Sequence, residues 1–343
     1  MLHGCTMSYE MDDNMSPIRM RESQFDSFLT SQLEPFWQEH AVTDFFVNDQ
    51  KLHIHYAKLL NPAARQAVVV SPGRVEGYLK YKELAYDLYH QGYSVFIIDH
   101  QGQGLSSRRL SNAHKGHVAE FQDYINDFSQ LISDVVKPSF HGELYLLAHS
   151  MGCAIGLRYV QQFPDTFKKA SFSSPMWGFL SGAMPDVVAK SMVWMGYWLT
   201  QTFAKESAYF FGGTDYEAKS FTDNELTGSE ARYQYFRNIY QQMPELQLGS
   251  ITFSWLKACI TGLEDAYEHL DKIRIPIQVL QAEDETVIDN RAQNRFCQRL
   301  AEFGQPCFGG EPLVISGAKH ELFIESDDKR QLALEAVWEY FNS

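Results

Sequence analysis

Beyond residue 60 the chain alternates short, mostly apolar runs with longer amphipathic stretches. Val68–Val70, Val95–Ile98, Leu144–Ala148, Ala170–Phe172, Ile277–Leu280 and Leu313–Ile315 are too short for helices and predict buried strands. Between them, Tyr81–Gln91, Phe121–Val136, Met151–Phe163 and stretches near 290–302 and 327–341 carry helical periodicity, the first ending at Gly92. Strands of this kind alternating with helices predict an α/β fold: a doubly wound, mostly parallel sheet covered on both faces. Upstream, two strand-like stretches fill about 42–57, where Leu52, Ile54 and Tyr56 alternate with polar residues as in a half-buried edge hairpin.

The alternation stops between about 176 and 265, a stretch rich in Met and aromatic residues such as Met176, Trp177, Phe179, Met184, Trp194 and Trp198. With no strand patterning, it predicts a helical insertion. Its apolar residues form the insertion's own core, and part of them, with Trp177 and Phe179 as candidates, lines a pocket for a long apolar guest. The expected organisation is an N-terminal extension over 1–40, a core over 41–175 and 266–343, and a helical cap over 176–265. Residues 1–40 are polar and Met-rich, expected to be mobile at first and then amphipathic through Phe25, Phe28, Leu29, Leu33, Phe36 and Trp37.

A net charge of -14 argues against nucleic acid as a partner, which calls for a basic face. The five cysteines (Cys5, Cys153, Cys259, Cys297 and Cys307) are scattered without a C-x-x-C pair. They suggest neither a disulfide framework nor a zinc site, and a reducing compartment is expected. The acidic N-terminus lacks the basic and apolar regions of a signal peptide. No uncharged apolar stretch reaches the ~18 residues needed to span a bilayer. The expected location is therefore cytoplasmic and not secreted, with room for peripheral contact on the inner membrane.

Chemistry enters at Leu144–Gly152, L-Y-L-L-A-H-S-M-G. An apolar strand that stops at small–x–Ser–x–small and continues as a helix describes a nucleophile elbow. Ala148 and Gly152 occupy the small positions, and Ala148 departs from the usual glycine. A serine hydroxyl needs a base to take its proton and an acid to orient that base. In doubly wound hydrolases the chain order is Ser, acid, His. His320 follows Leu313–Ile315 in S-G-A-K-H-E, and Glu283, Asp284 and Glu285 follow the strand at 277–280. Pattern alone does not choose among these three carboxylates; the two spare ones are expected to be solvated and to raise the proton affinity of His320. Oxyanion donors are expected from the backbone N–H groups of Met151 and of Arg74, the latter following the sharp turn at Gly73. The Arg74 side chain is either a plain surface charge or a contact for a substrate phosphate.

The run from Ser71 to Ser107, S-P-G-R-V-E-G-Y-L-K-Y-K-E-L-A through G-Y-S-V-F-I-I-D-H-Q-G-Q-G-L-S-S, resembles the monoacylglycerol-lipase and lysophospholipase branch of the α/β-hydrolases. The likeness continues through K-G-H-V-A-E-F-Q-D-Y-I-N-D, the elbow and G-A-K-H-E-L-F-I-E, covering roughly 65–325. Pro72, Gln101 and Gln103 depart from the family's H-G and R-G-H-G patterns. With the string T-G-S-E-A-R-Y-Q-Y-F-R-N-I-Y, these departures look more like the bacterial lysophospholipases than the animal glyceride lipases. The family's acid lies two residues before an apolar pair. Val287 and Ile288 are that pair here, which registers Glu285 as the acid, with Asp284 the runner-up.

The resemblance implies a serine hydrolase that cleaves the acyl ester of lysophospholipids through an acyl-enzyme, with transfer to another lipid alcohol as a side activity. Alternatives on the same frame are a monoacylglycerol lipase, a general carboxylesterase or a proline-type aminopeptidase; one from another class is an inactive scaffold that only binds lipid. No cofactor or metal is expected, since no histidine spacing resembles a ligand motif. Oligomeric state stays open. Several polar residues have plain structural readings: His149 packs against the next strand, His114 and His117 stabilise a turn, Asp99 is a hydrogen-bond hub, and Cys153 packs in the elbow helix.

Overall fold

Strands form where the apolar runs lie. In the computed structural model, which describes residues 21–180 and 185–343, one eight-stranded sheet has the order β1-β2-β4-β3-β5-β6-β7-β8. The strands are β1 (Ala41–Val47), β2 (His53–Leu59), β3 (Gln66–Ser71), β4 (Ser94–Ile98), β5 (Glu143–His149), β6 (Lys169–Ser173), β7 (Ile277–Ala282) and β8 (Leu313–Ile315). The hairpin β1–β2 and the β2–β4 pair are antiparallel, and every other pairing is parallel. The expected mostly parallel sheet is what the chain adopts.

Successive side chains of a strand point to opposite faces, and the core divides accordingly. Val69, Phe96, Leu146 and Phe172 join one apolar layer, while Val68, Val70, Ile97 and Leu147 join the other. The main helices are α1 (Glu34–His40), α2 (Lys82–His90), α3 (Phe121–Gln130), α4 (Met151–Gln162), α5 (Asp186–Phe203), α6 (Glu230–Gln242), α7 (Phe253–Glu268), α8 (Asn290–Glu302) and α9 (Asp327–Asn342). Helices α3, α4, α7 and α8 cover the first layer, and α2 and α9 cover the second. Glu120 and Asp123 form a reciprocal capping box that starts α3.

Among the described residues, the chain between β6 and β7 carries α5, α6 and α7 and adds no strand to the sheet. Helix α5 lies tight on α7: a Cβ at Gly196 would sit 2.2 Å from the Phe253 ring. On α5, Trp194, Met195, Trp198, Leu199 and Phe203 are exposed. None of the described helices is long and apolar enough to cross a membrane. Met184, named in the apolar stretch, lies outside the described residues.

The amphipathic part of the 1–40 segment packs from residue 21 onward; residues 1–20 lie outside the described residues. Phe25, Phe28 and Leu33 are buried, and Arg21 pairs with Glu83 at 3.1 Å and Asp87 at 2.9 Å. Glu83 also meets Arg232 at 2.8 Å, Arg330 pairs with Asp87 at 2.7 Å, and Arg232 pairs with Asp327 at 2.6 Å. This clasp joins the N-terminal segment, α2, α6 and α9. One expectation needs correction, that on cysteine: Cys297 on α8 is disulfide-bonded to Cys307, while Cys153 and Cys259 are free and buried. The ten-residue separation is no ligand motif, so spacing gave no signal.

Candidate active site

The turn after β5 is dictated by crowding. A Cβ at Gly152 would lie 2.0 Å from the Ser71 carbonyl oxygen, so only glycine fits where the elbow helix passes β3. At Ala148, paired with Ser71 in register, the methyl group is accommodated. Ser150 sits between strand and helix at φ 49° and ψ -116°, a left-handed conformation that costs energy for any residue but glycine. Its N–H donates to the Ser173 carbonyl, and its own carbonyl accepts from Met176 at 3.1 Å. The strained turn is thus tied to β6 and to the segment that follows it.

Three of the expected residues meet here. His320 Nε2 lies 3.0 Å from Ser150 Oγ, and His320 Nδ1 lies 2.6 Å from Glu285 Oε2. The second oxygen of Glu285 accepts the N–H groups of Val287 at 2.7 Å and Ile288 at 3.3 Å. Burial disfavours a charged Glu285, but His320 and these two amides outweigh it and hold the carboxyl below its usual range. Asp284 is exposed and is not part of this chain of contacts. Glu283 is exposed as well, yet not merely solvated as expected: its Oε2 accepts from Ser316 Oγ at 2.6 Å and the Gly317 N–H at 2.7 Å. It ties the loop after β7 to the loop that carries His320.

Facing the serine is the loop after β3. A Cβ at Gly73 would meet Ser150 Cβ at 3.1 Å and Glu76 Oε2 at 2.7 Å, so the glycine allows the loop to lie against the nucleophile. The Gly73 N–H donates to Glu76 Oε2 at 2.5 Å, which also accepts from Tyr81 Oη at 2.7 Å. Gln103 Nε2 donates to the carbonyls of Gly73 at 2.6 Å and Glu76 at 2.9 Å. Arg74 follows directly. The Met151 N–H, as the first of a helix, has no acceptor within that helix.

Beneath the loop lies a buried charge cluster that sequence reasoning missed. Lys80 Nζ bridges Glu76 at 2.8 Å and Glu321 at 2.6 Å, and it stands 4.3 Å from the Phe236 ring. Lys80 and Glu76 belong to the stretch following the Gly73 loop, whereas Glu321 is the neighbour of His320, so one ammonium ties both sides of the site. Burial disfavours charge on Glu76, but Lys80 and His149 outweigh it and pull the carboxyl down to about 2. Burial and the nearby Glu76 charge leave Glu321 above its ordinary value. The only signal was an i, i+4 Glu–Lys spacing, which usually marks a solvated helix face.

Glu76, His149 and Glu321 form the one group among the described residues with metal-ligand geometry. The Lys80 ammonium already supplies the positive charge there. His149 does not simply pack on the next strand: its ring lies 4.8 Å from that of His320, and burial pushes it down to about 4, keeping it neutral. Asp99 is the expected hub. It accepts from the N–H groups of Tyr78 at 2.6 Å and Leu105 at 2.8 Å, and burial pushes its carboxyl up to about 7.

The proposed substrate-lining residues separate. Trp177 is fully packed, 3.8 Å from the Phe296 ring and 5.4 Å from Phe172, so its indole is core rather than an open pocket wall. Phe179 packs on the same layer but stays partly exposed. Arg74 is half-buried rather than a free surface charge. Its Nη2 donates to the Gly249 carbonyl, and its guanidinium lies 5.6 Å from the Trp255 ring.

The family model described as serine aminopeptidase, S33, matches residues 62–327. The chain is 36% identical to lysophospholipase L2 of Escherichia coli K12 over 322 residues, covering 94% of this chain and 93% of that protein. It is 32% identical to a probable lysophospholipase L2 of Haemophilus influenzae, covering 94% and 99%. Among solved structures, the monoacylglycerol lipase of Paleococcus ferrophilus superposes with a TM-score of 0.64 at 20% identity, covering 84% of this chain and 97% of that one.

Proposed function

Since this chain belongs to the serine aminopeptidase S33 family of α/β-hydrolases and is an ester hydrolase like its relatives, we propose that it cleaves the single acyl ester of lysophospholipids. The supporting observation is the unbroken run from Ser150 Oγ to His320 at 3.0 Å and from His320 to Glu285 at 2.6 Å. In this reading Ser150 Oγ attacks the ester carbonyl carbon while His320 Nε2 takes the hydroxyl proton. Glu285 holds Nδ1–H and stabilises the imidazolium. The N–H groups of Met151 and Arg74 hold the oxyanion. Collapse expels the glycerol-side alkoxide, which receives the proton from His320, leaving a fatty acyl group on Ser150. His320 then deprotonates water, whose attack frees the fatty acid. A lipid alcohol in place of water gives acyl transfer by the same steps.

The helices between β6 and β7 are read as a cap over this site. The exposed rings and Met195 of α5 support contact with a lipid surface, where a single-chain substrate resides. Co-sedimentation with anionic vesicles tests that contact, and the absence of a bound fraction removes it. Substrate class is tested by kcat/KM for a lysophosphatidylcholine and a monoacylglycerol of equal chain length. The reading requires a preference for the phospholipid of about tenfold or more; an equal or reversed preference makes the protein a monoacylglycerol lipase or general esterase instead.

A further inference from the structure

We propose that the Arg74 guanidinium is a phosphate-recognition element, binding the anionic headgroup of the substrate whose ester lies at Ser150. The fully buried cations among the described residues, Arg21, Lys80, Arg232, Lys257 and Arg330, each form ion pairs with carboxylates. Half-buried Arg74 forms none with the described residues, which is also true of Arg108 and Arg237, but of these three only Arg74 follows the glycine that lies against Ser150. Its hydrogen bond goes to an uncharged carbonyl, that of Gly249, and its Nε is buried with no acceptor. The surroundings are Trp255, Tyr124, Tyr209 and Cys259, which bring no fixed negative charge.

An unpaired guanidinium in such a place is costly to maintain. The same low-polarity setting strengthens its attraction for an incoming anion. Burial pushes its pKa down to about 10, so it stays charged at neutral pH. The planar fork of arginine matches a phosphodiester in two parallel hydrogen bonds, which a lysine ammonium does not reproduce. Gly116 makes room for it, since a Cβ there would lie 2.7 Å from Nη2 and 3.2 Å from Nε. Position adds the link to chemistry. Arg74 is joined directly to Gly73, which lies against Ser150, so one residue presents its backbone N–H to the reacting carbonyl and its side chain to the far end of a short glycerol bridge.

The inference rests on the lysophospholipase reading and deepens it. The test compares kcat/KM for short-chain lysophosphatidylcholine, kept monomeric, with that for the matching monoacylglycerol in wild type, Arg74→Gln and Arg74→Lys. The backbone N–H survives in each variant, so loop damage lowers both substrates together. Expected is a fall of about tenfold or more in the phospholipid-to-glyceride ratio for Arg74→Gln, with a smaller fall for Arg74→Lys. An unchanged ratio overturns the inference. A second measurement avoids variants: wild type should bind a non-hydrolysable ether lysophospholipid about tenfold more tightly than the matching alkylglycerol. Equal binding also overturns it. If wild type prefers the phospholipid but the ratio ignores Arg74, only this inference fails; if wild type shows no preference, the substrate reading fails with it.

Discussion

Glu285 meets His320 through one carboxylate oxygen at 2.6 Å while its other oxygen holds the N–H groups of Val287 and Ile288. The two amides fix the carboxylate at the end of a loop, and the carboxylate in turn fixes the imidazole. Replacing Glu285 with Gln substitutes a neutral amide that no longer stabilises the imidazolium. Steady-state kinetics on lysophosphatidylcholine should show kcat reduced by about a thousandfold or more with KM much less affected. Asp284→Asn should leave kcat within about twofold, since Asp284 is exposed and outside the contact chain. The reverse ranking would move the acid to Asp284.

The loop proposed to hold the oxyanion depends on Gln103, whose amide holds the carbonyls of Gly73 and Glu76. Gln103→Ala should lower kcat by about tenfold to a hundredfold through a displaced donor, with a smaller change in KM. The accompanying loss of stability should be about 1–3 kcal/mol, read from urea unfolding. An unchanged kcat would show that the loop keeps its place without this side chain.

Acid should weaken the fold through Glu76 and Glu83. Burial opposes their charge, yet Lys80 pulls Glu76 down to about 2, and Arg330 and Arg232 hold Glu83 well below the usual range. A carboxylate with a depressed folded-state pKa contributes stability above its unfolded value, lost as pH falls toward the folded one. Unfolding free energy should therefore decline from about pH 4.5 downward, although Glu321, shifted upward, contributes with the opposite sign. Glu83→Gln should lose roughly 3–5 kcal/mol at pH 7, because it leaves buried arginines without their partner. Its stability should also fall less steeply with acid than that of wild type. Parallel slopes would mean that Glu83 keeps an ordinary pKa in the folded chain.

Reduction should act on α8. The Cys297–Cys307 bond closes a short loop between that helix and the approach to β8. A loop of this length contributes about 2–3 kcal/mol by restricting the unfolded chain. The Cys297→Ser, Cys307→Ser variant should melt a few degrees lower under oxidising conditions and match reduced wild type. Equal melting of oxidised wild type and variant would remove the bond from the account of stability.

What was legible in the sequence was local. Runs such as Val95–Ile98 announce buried strands because no other short element hides both faces, and the turn at Ser150 announces itself through its small neighbours. The order of Ser150, Glu285 and His320 along the chain was readable, and the structure brings these three together. The choice of Glu285 over its neighbours needed the apolar pair at Val287 and Ile288, since three adjacent carboxylates look alike. Long-range partnerships left no mark. Lys80 has the spacing of a surface helix, and nothing near Arg21 hints at Glu83 or Asp87. Trp177 reads equally well as pocket or core, because apolar character alone does not say which side of a wall a ring occupies. Cys297 and Cys307 sit too far apart to suggest a motif, yet the fold places their Cα atoms 5.5 Å apart.

Turnover of lysophosphatidylcholine by folded Ser150→Ala protein, followed as fatty acid release beside wild type, tests the central claim most directly. Loss of the serine oxygen should cut kcat by about a millionfold, leaving only the residual rate that binding and the oxyanion donors supply. Release at the wild-type rate by a variant with an unchanged melting profile would contradict an acyl-enzyme on Ser150.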